Sequence, residues 1–307
     1  MLGNDYRDEY LAGKHPHNPY DDCRFAKDKV AYAKKWLTEI KGRDIDFENP
    51  RNIVDVICKE KVDLITAPYE KLLEKQLWAD KIFVRDQLKK LGIEKELPLP
   101  HSIYTGHHTS INDKEMDIIW STMMMCSKRY GNKFIIKTNH GSGWNMKVDI
   151  NTTPREFVQK QLNEWLSLNY AYVSGYEIQY KFIRPGIIVQ PLLAEELIDW
   201  SFWCVDGEIE FIGLTKKFGK NFEEYIAWTD KDGNKTHHII GTYPEMYFLP
   251  PTMKKTIEEM KPYVHAIAKP FKFVRVDLYR VNGQNYFGEA TFTPCSGVLD
   301  YVEVPNV

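Results

Sequence analysis

Two segments near the end of the chain, FVRVDLYRVNG (273–283) and QNYFGEATFTPCSG (284–297), hold the residues whose types and spacing best suit chemistry. Arg275 and Asp277 are two apart, as are Glu289 and Thr291, so in extended backbone each pair shares one strand face. The turn between the segments decides how the pairs meet. With a three-residue loop, Asn282-Gly283-Gln284, Asp277 faces Glu289 and Arg275 faces Thr291, with opposed Cβ atoms about 5 Å apart. A strict two-residue Asn-Gly loop breaks that register unless a bulge intervenes. Side-by-side carboxylates repel, and a divalent cation between them is the simplest explanation of such a pair. An all-oxygen donor set suits Mg²⁺, which takes one or two carboxylates together with substrate phosphates. The competing reading is a solvated hairpin face bearing an Arg–Asp ion pair.

A second constellation is the turn Asn139-His140-Gly141-Ser142-Gly143-Trp144-Asn145, preceded by a β-rich run that ends at Lys137. Small residues let backbone N–H groups approach phosphate oxygens, and a nearby lysine supplies a compact positive charge. The order of a Walker A loop is absent, and taken alone the same residues are more often an ordinary hairpin turn. His140 is a candidate base or ligand, although a histidine that only braces its own loop is commoner. Lys81 and Arg85 lie one turn apart in a helical stretch and are expected to share a face. His107-His108 and His237-His238 lack metal-ligand spacing and read as surface features. No nucleophile elbow or nucleophilic cysteine motif is present.

These groups must be positioned by both helices and strands. Apolar residues recur at helical spacing over Ala26–Ile40 and again over Pro68–Leu91, which stops at Gly92. From Tyr130 the pattern becomes strand, Gly-rich turn, strand. A helix Thr153–Leu168 follows, with Thr152 or Thr153 as N-cap. Strands are expected around Ile187–Leu193, Ser201–Val205, Glu208–Leu214, Phe273–Val281 and Asn285–Phe292, with one helix at Thr252–Ala268 between them. The fold class is α+β, with an N-terminal lead-in or cap over 1–67 and further parts over 68–185 and 186–307.

With 43% hydrophobic residues, the 307-residue chain can bury a large core. Its 41 Lys+Arg and 43 Asp+Glu nearly cancel, so no global field recruits nucleic acid. No apolar run is long enough to span a bilayer, and the polar start carries no export signal, so a cytoplasmic protein is expected. Five scattered cysteines without a C-x-x-C pair argue against disulfides and structural zinc.

Taken in order, Asp80-Lys81 with Arg85, FIIKTNHGSG, the strand from Ile187, DWSFWCVDGE, and RVDLY with FGEATFTPCSG resemble the ATP-grasp family associated with teichuronopeptide and capsular polysaccharide biosynthesis. The resemblance covers roughly residues 47–300 and implies a nucleotide held between two α+β subdomains. It assigns Lys81 and Lys137 to the ATP phosphates and His140, Gly141, Ser142 and Gly143 to the lid over them. Gln190, Leu192 and Leu193 fall at the adenine hinge, and Glu195 or Glu196 at the ribose. Asp277, Glu289 and Thr291 match the Mg²⁺ ligands, and Arg275 the arginine that steadies the transferred phosphoryl group. The sequence departs from the family pattern in having Gln190-Pro191 in place of an acidic pair and Ser201 in place of a common lysine.

The implied activity is an ATP- and Mg²⁺-dependent carboxylate–amine ligase acting through an acylphosphate, on a uronic acid or amino-acid carboxylate in cell-surface polysaccharide assembly. Tyr180, Lys181, Arg184, Lys216, Lys217 and Lys220 are further candidates for anionic-substrate contacts. A sugar kinase and a non-catalytic scaffold in a polysaccharide-synthesis complex are the alternatives.

Overall fold

The computed structural model describes residues 26–218, 223–236, 239–240, 250–298 and 301–302. Cys23, Lys220 and the His237-His238 pair lie outside the described residues, as does the side chain of Lys217.

Among the described residues, four helices come first: α1 (Lys29–Lys41), α2 (Ile53–Thr66), α3 (Tyr69–Ala79) and α4 (Val84–Lys90). The helical stretch expected over 68–91 is therefore two helices. It breaks at Asp80, whose side chain accepts from the Ile82 N–H at 2.8 Å and so takes up a backbone donor that a continuous helix would use itself. As a result Lys81 lies in the turn between the helices. Arg85 sits on α4 with Glu94 at 3.8 Å, and the two cations do not share a helix face.

Strand β1 (Tyr104–His107) and helix α5 (Asp113–Tyr130) precede β2 (Lys133–Thr138) and β3 (Asn145–Asp149), which flank the Gly-rich turn. Helix α6 (Arg155–Leu166) follows, then α7 (Tyr170–Val173), a 3-10 turn at Ile178–Tyr180, and β4 (Gly186–Pro191). Neither expected threonine caps α6. Its N-cap is Pro154, and the Thr153 hydroxyl instead accepts from the Asp149 N–H at 3.0 Å, tying the helix entry back to β3. These strands form an antiparallel sheet in the order β1-β4-β2-β3, packed against α5 and α6 through Ile119, Met123, Phe134, Ile136, Leu162 and Val189. Because β4 pairs with β1 and β2, this sheet spans the 185/186 boundary expected from sequence.

The second sheet has the order β10-β9-β5-β6-β7, from β5 (Ile198–Val205), β6 (Glu208–Phe218), β7 (Glu223–Asp230), β9 (Phe273–Val281) and β10 (Gln284–Thr291). Short strands β8 (Ile239–Ile240) and β11 (Tyr301–Val302) pair with each other. Alternation divides the second sheet. Val274, Val276 and Leu278 join Phe202 and Ile212 in a core with α8 (Met253–Ala268), which leaves Arg275 and Asp277 on the opposite face. Glu289, Asp277 and Ser201 lie in one row across three strands, and Thr291, Arg275 and Trp203 in the next.

Candidate active site

The hairpin between β9 and β10 settles the open register. Gln284 pairs with Val281, so the loop is the two-residue Asn282-Gly283, with both residues at positive φ (51° and 82°) as a type I′ turn requires. The register then shifts between Phe287 and Glu289, which brings Asp277 opposite Glu289 and Arg275 opposite Thr291. The extra residue is Gly288. A Cβ there would lie 2.7 Å from the Asp277 carbonyl oxygen and 3.0 Å from the Tyr279 ring, so only glycine fits this bulge. The expected pairing is thus reached through a two-residue turn and a bulge, and a three-residue loop is not used.

Arg275 organises the resulting face. Its Nε donates to both Asp277 oxygens at 2.8 and 3.0 Å, and its terminal nitrogen reaches Glu289 Oε1 at 3.1 Å and Thr291 Oγ1 at 3.3 Å. The guanidinium also lies 5.7 Å from the Trp203 ring centroid. Burial pushes the Asp277 carboxyl above its ordinary value, despite Arg275 and a hydrogen bond from Ser201. Burial acts the same way on Glu289, but Lys81, Arg275 and Lys137 outweigh it and hold this carboxyl below its ordinary value. One guanidinium therefore does not fully neutralise the pair. Two carboxylates with the Thr291 hydroxyl form a hard, all-oxygen donor set that fits Mg²⁺ completed by substrate phosphate oxygens. Among the described residues no three His, Cys, Asp or Glu side chains converge to hold a metal by themselves.

The opposing cations come from elsewhere in the chain. Lys81 donates to the Gly141 carbonyl at 2.6 Å, lies 3.7 Å from Glu289 Oε2, and sits over the Tyr180 ring. Desolvation and the nearby Lys81 charge bring Lys137, at the end of β2, down to about 8, with Glu289 working in the opposite direction. Three cations, Lys81, Lys137 and Arg275, thus face two carboxylates, an excess of one positive charge suited to an anionic ligand.

The Gly-rich turn is braced from below. Asn139 donates to Asp80 Oδ1 and to the Arg184 carbonyl, both at 3.0 Å. His140 is buried, with Nε2 3.2 Å from the Trp165 carbonyl, and desolvation lowers it to about 4, so it is neutral near pH 7. The geometry places it as a brace beneath Gly141, Ser142 and Gly143. A Cβ at Gly141 would meet Trp144 at 2.6 Å and Tyr170 at 2.8 Å, and Gly143 has φ +72°. A side chain at Gly141 would therefore force its neighbours to shift, and one at Gly143 would strain the backbone although the space is open.

At the other end of the first sheet, the Gln190 side chain donates to the Pro100 carbonyl at 3.0 Å and to Ser102 at 3.3 Å, anchoring the approach to β1. The Leu192 N–H donates to the Lys133 carbonyl at 3.0 Å, and Leu193 continues the chain beyond it. Glu195 is gripped by Lys133 and Lys147, each at 2.5 Å, and Glu196 by Lys216 at 2.8 Å. Of the other candidates, Tyr180 is buried beneath Lys81, Lys181 lies over Phe182, and Arg184 is exposed. His107 and His108 are half-buried instead of free surface groups. His107 stacks on Phe83, and His108 sits between Tyr104 Oη at 2.7 Å and Glu115 at 3.2 Å.

Sequence reasoning names Asp80 and Asn139 within their motifs but not as the braces of the turn, and it does not single out Gly288. Asp80 had a readable signal, a helix-capping residue placed inside an apolar periodic stretch. Gly288 had another, a glycine inside a strand that follows an Asn-Gly turn.

Residues 115–304 match a family described as TupA-like ATPgrasp. No curated protein matches the chain. Among solved structures, D-alanyl-alanine synthetase A from Vibrio cholerae is similar at 12% identity and a TM-score of 0.40, covering 70% of this chain and 56% of that one. The D-alanine–D-alanine ligase of Bacillus anthracis is similar at 17% identity and a TM-score of 0.37, covering 70% and 57% respectively. A D-cycloserine synthetase is similar at 11% identity and a TM-score of 0.41, covering 87% and 74%. The chain thus spans little more than half the length of the first two, at 56% and 57%.

Proposed function

The chain belongs to the TupA-like ATP-grasp family, and from that premise we propose that it is a Mg-ATP-dependent ligase joining a carboxylate to an amine. The observation that carries this reading is the Arg275–Asp277–Glu289 cluster, which faces Lys81 and Lys137 beside the glycine turn.

In this reading Lys81 exchanges the Gly141 carbonyl for a phosphate oxygen, and Lys137, charged below about pH 8, binds a second. Gly141 and Gly143 let backbone N–H groups come close to the phosphates. Asp277 and Glu289, with Thr291 beside them, would hold Mg²⁺, which would supply charge neutralisation at the transferring phosphoryl group. Arg275 orients both carboxylates and stabilises negative charge that grows in the transition state. A substrate carboxylate oxygen bonds to the γ-phosphorus as the bond to the ADP oxygen breaks. An amine nitrogen then bonds to the acyl carbon as phosphate leaves, and the amine proton passes to phosphate or solvent.

The family resemblance supports a uronic acid or amino-acid carboxylate of cell-surface polysaccharide assembly as the acceptor, with the reaction in the cytoplasm. A second reading, a scaffold that no longer turns over ATP, is favoured by one observation. Gln190, at the expected hinge, spends its side chain on Pro100 and Ser102. Screening carboxylate and amine pairs for amine-dependent ADP release separates the two. The ligase reading expects release with at least one pair, and no release above background with any pair contradicts it.

A further inference from the structure

The N-terminal helices reach the active face through a buried charge. Lys61 of α2 is fully buried, donates to the Gly175 carbonyl and, at 2.5 Å, to Ser296 Oγ, and lies 5.2 Å from the Trp36 ring centroid. A buried ammonium is strongly unfavourable unless it is compensated. Glu177 answers it. This carboxylate is 4% exposed and accepts from Gln179 Nε2 at 3.2 Å and Thr293 Oγ1 at 3.1 Å. Burial raises Glu177 to about 7, Glu289 adds to the rise, and Lys61, Thr293 and Ser174 oppose it. Ser296 Oγ also lies against the Ser174 carbonyl and 3.0 Å from that of Gly175, closing a network across α2, the segment 174–179 and the segment 293–297.

What this network grips is unusual backbone. Cys295, Ser296 and Gly297 have φ of +45°, +57° and +74°, two non-glycine residues and a glycine in succession on the left-handed side. Non-glycine residues there are strained and persist only where their surroundings over-determine them. The turn begins just past Thr291, the last residue of β10.

We infer that Lys61 and Glu177 are positioning residues, which grip the 293–297 turn at Ser296 and Thr293 respectively, hold it onto α2 and so fix the end of β10 that presents Glu289 and Thr291 to Arg275. On this account α2 is part of the working body of the enzyme. The effect on turnover rests on the ligase reading, whereas the clamp itself does not.

The test uses the full chain with Lys61→Met, the isosteric Glu177→Gln and the milder Ser296→Ala. Hydrogen–deuterium exchange of 293–298, calorimetric binding of a non-hydrolysable ATP analogue with Mg²⁺, and basal ADP release from Mg-ATP are measured on each. Exchange at 293–298 is expected to rise by about tenfold or more while β9 stays protected. ADP release should fall by about tenfold with nucleotide affinity within about threefold of wild type. Unchanged protection at 293–298 in folded variants overturns the clamp, and so does exchange that rises equally throughout β9. If the wild type neither binds the analogue nor releases ADP, the ligase reading fails and the exchange result alone judges the clamp. If Lys61→Met and Glu177→Gln do not fold, Ser296→Ala decides by the same exchange criterion.

Discussion

The two larger sheets contribute to the site in different ways. In β10-β9-β5-β6-β7 the chemistry lies on the strands themselves, where pairing alone brings Glu289, Asp277 and Ser201 into one row and Arg275 into the next. In β1-β4-β2-β3 it lies at the strand ends, and each group needs support from another element. Lys81 comes from a helix break, the glycine turn hangs from Asp80, Arg184 and Trp165, and the hinge end is tied to Pro100 and Ser102. Strand faces give short, cross-braced contacts, whereas strand ends give groups that can exchange partners. A cleft that must hold catalytic groups still and yet admit a nucleotide benefits from one sheet of each kind.

The largest effect is expected at the rigid face. Asp277→Asn or Glu289→Gln should lower Mg-dependent ADP release by about 100-fold or more, with near-wild-type melting because Arg275 keeps one charged partner and an isosteric second one. Near-normal release in either variant would remove the metal role from that residue. Next is Gly288→Ala, whose added methyl meets the Asp277 carbonyl at 2.7 Å and should cost about 1–3 kcal/mol in urea unfolding. An unchanged midpoint would mean that the bulge does not hold the register.

The exchangeable end responds to pH. Lys137, lowered to about 8, is charged below that pH, so nucleotide affinity should fall as pH rises through 8, and Lys137→Ala should flatten the profile. The stability effect has the opposite sign. Between about 8 and 10.5 the unfolded chain binds more protons at this residue, so its contribution to unfolding free energy rises with pH. A pH-independent affinity in wild type would exclude Lys137 from the phosphates. The smallest effect is expected at Glu195, an exposed group held by two lysines, where Glu195→Gln should change stability by under about 0.5 kcal/mol. A larger loss would show that the hinge end is as rigid as the other sheet.

The same contrast decides what could be read from the sequence. Strand alternation announced β9 and β10 and the shared faces of Arg275, Asp277, Glu289 and Thr291, and only the route to their register needed the structure. Helix α2 was not assigned, because Ile53, Val54, Val56, Ile57, Val62 and Leu64 are buried on most sides and leave no clean polar stripe. In α5 the exposed Ile118, Met124 and Met125 blur the period, although Asn112 and Glu115 form a capping box that the sequence does spell. The Lys61–Glu177 network was illegible for another reason. Its three segments, at Lys61, 174–179 and 293–297, lie more than a hundred residues apart, and no local pattern marks a lysine or glutamate that folding will bury.

The central claim is that this cleft holds a nucleotide through Mg²⁺ at the paired carboxylates. Calorimetric titration with a non-hydrolysable ATP analogue, with and without Mg²⁺ and beside Asp277→Asn, tests it most directly. The account predicts Mg-dependent binding that is lost in the variant. Absence of binding in every condition, or Mg-dependent binding that Asp277→Asn leaves intact, would contradict it.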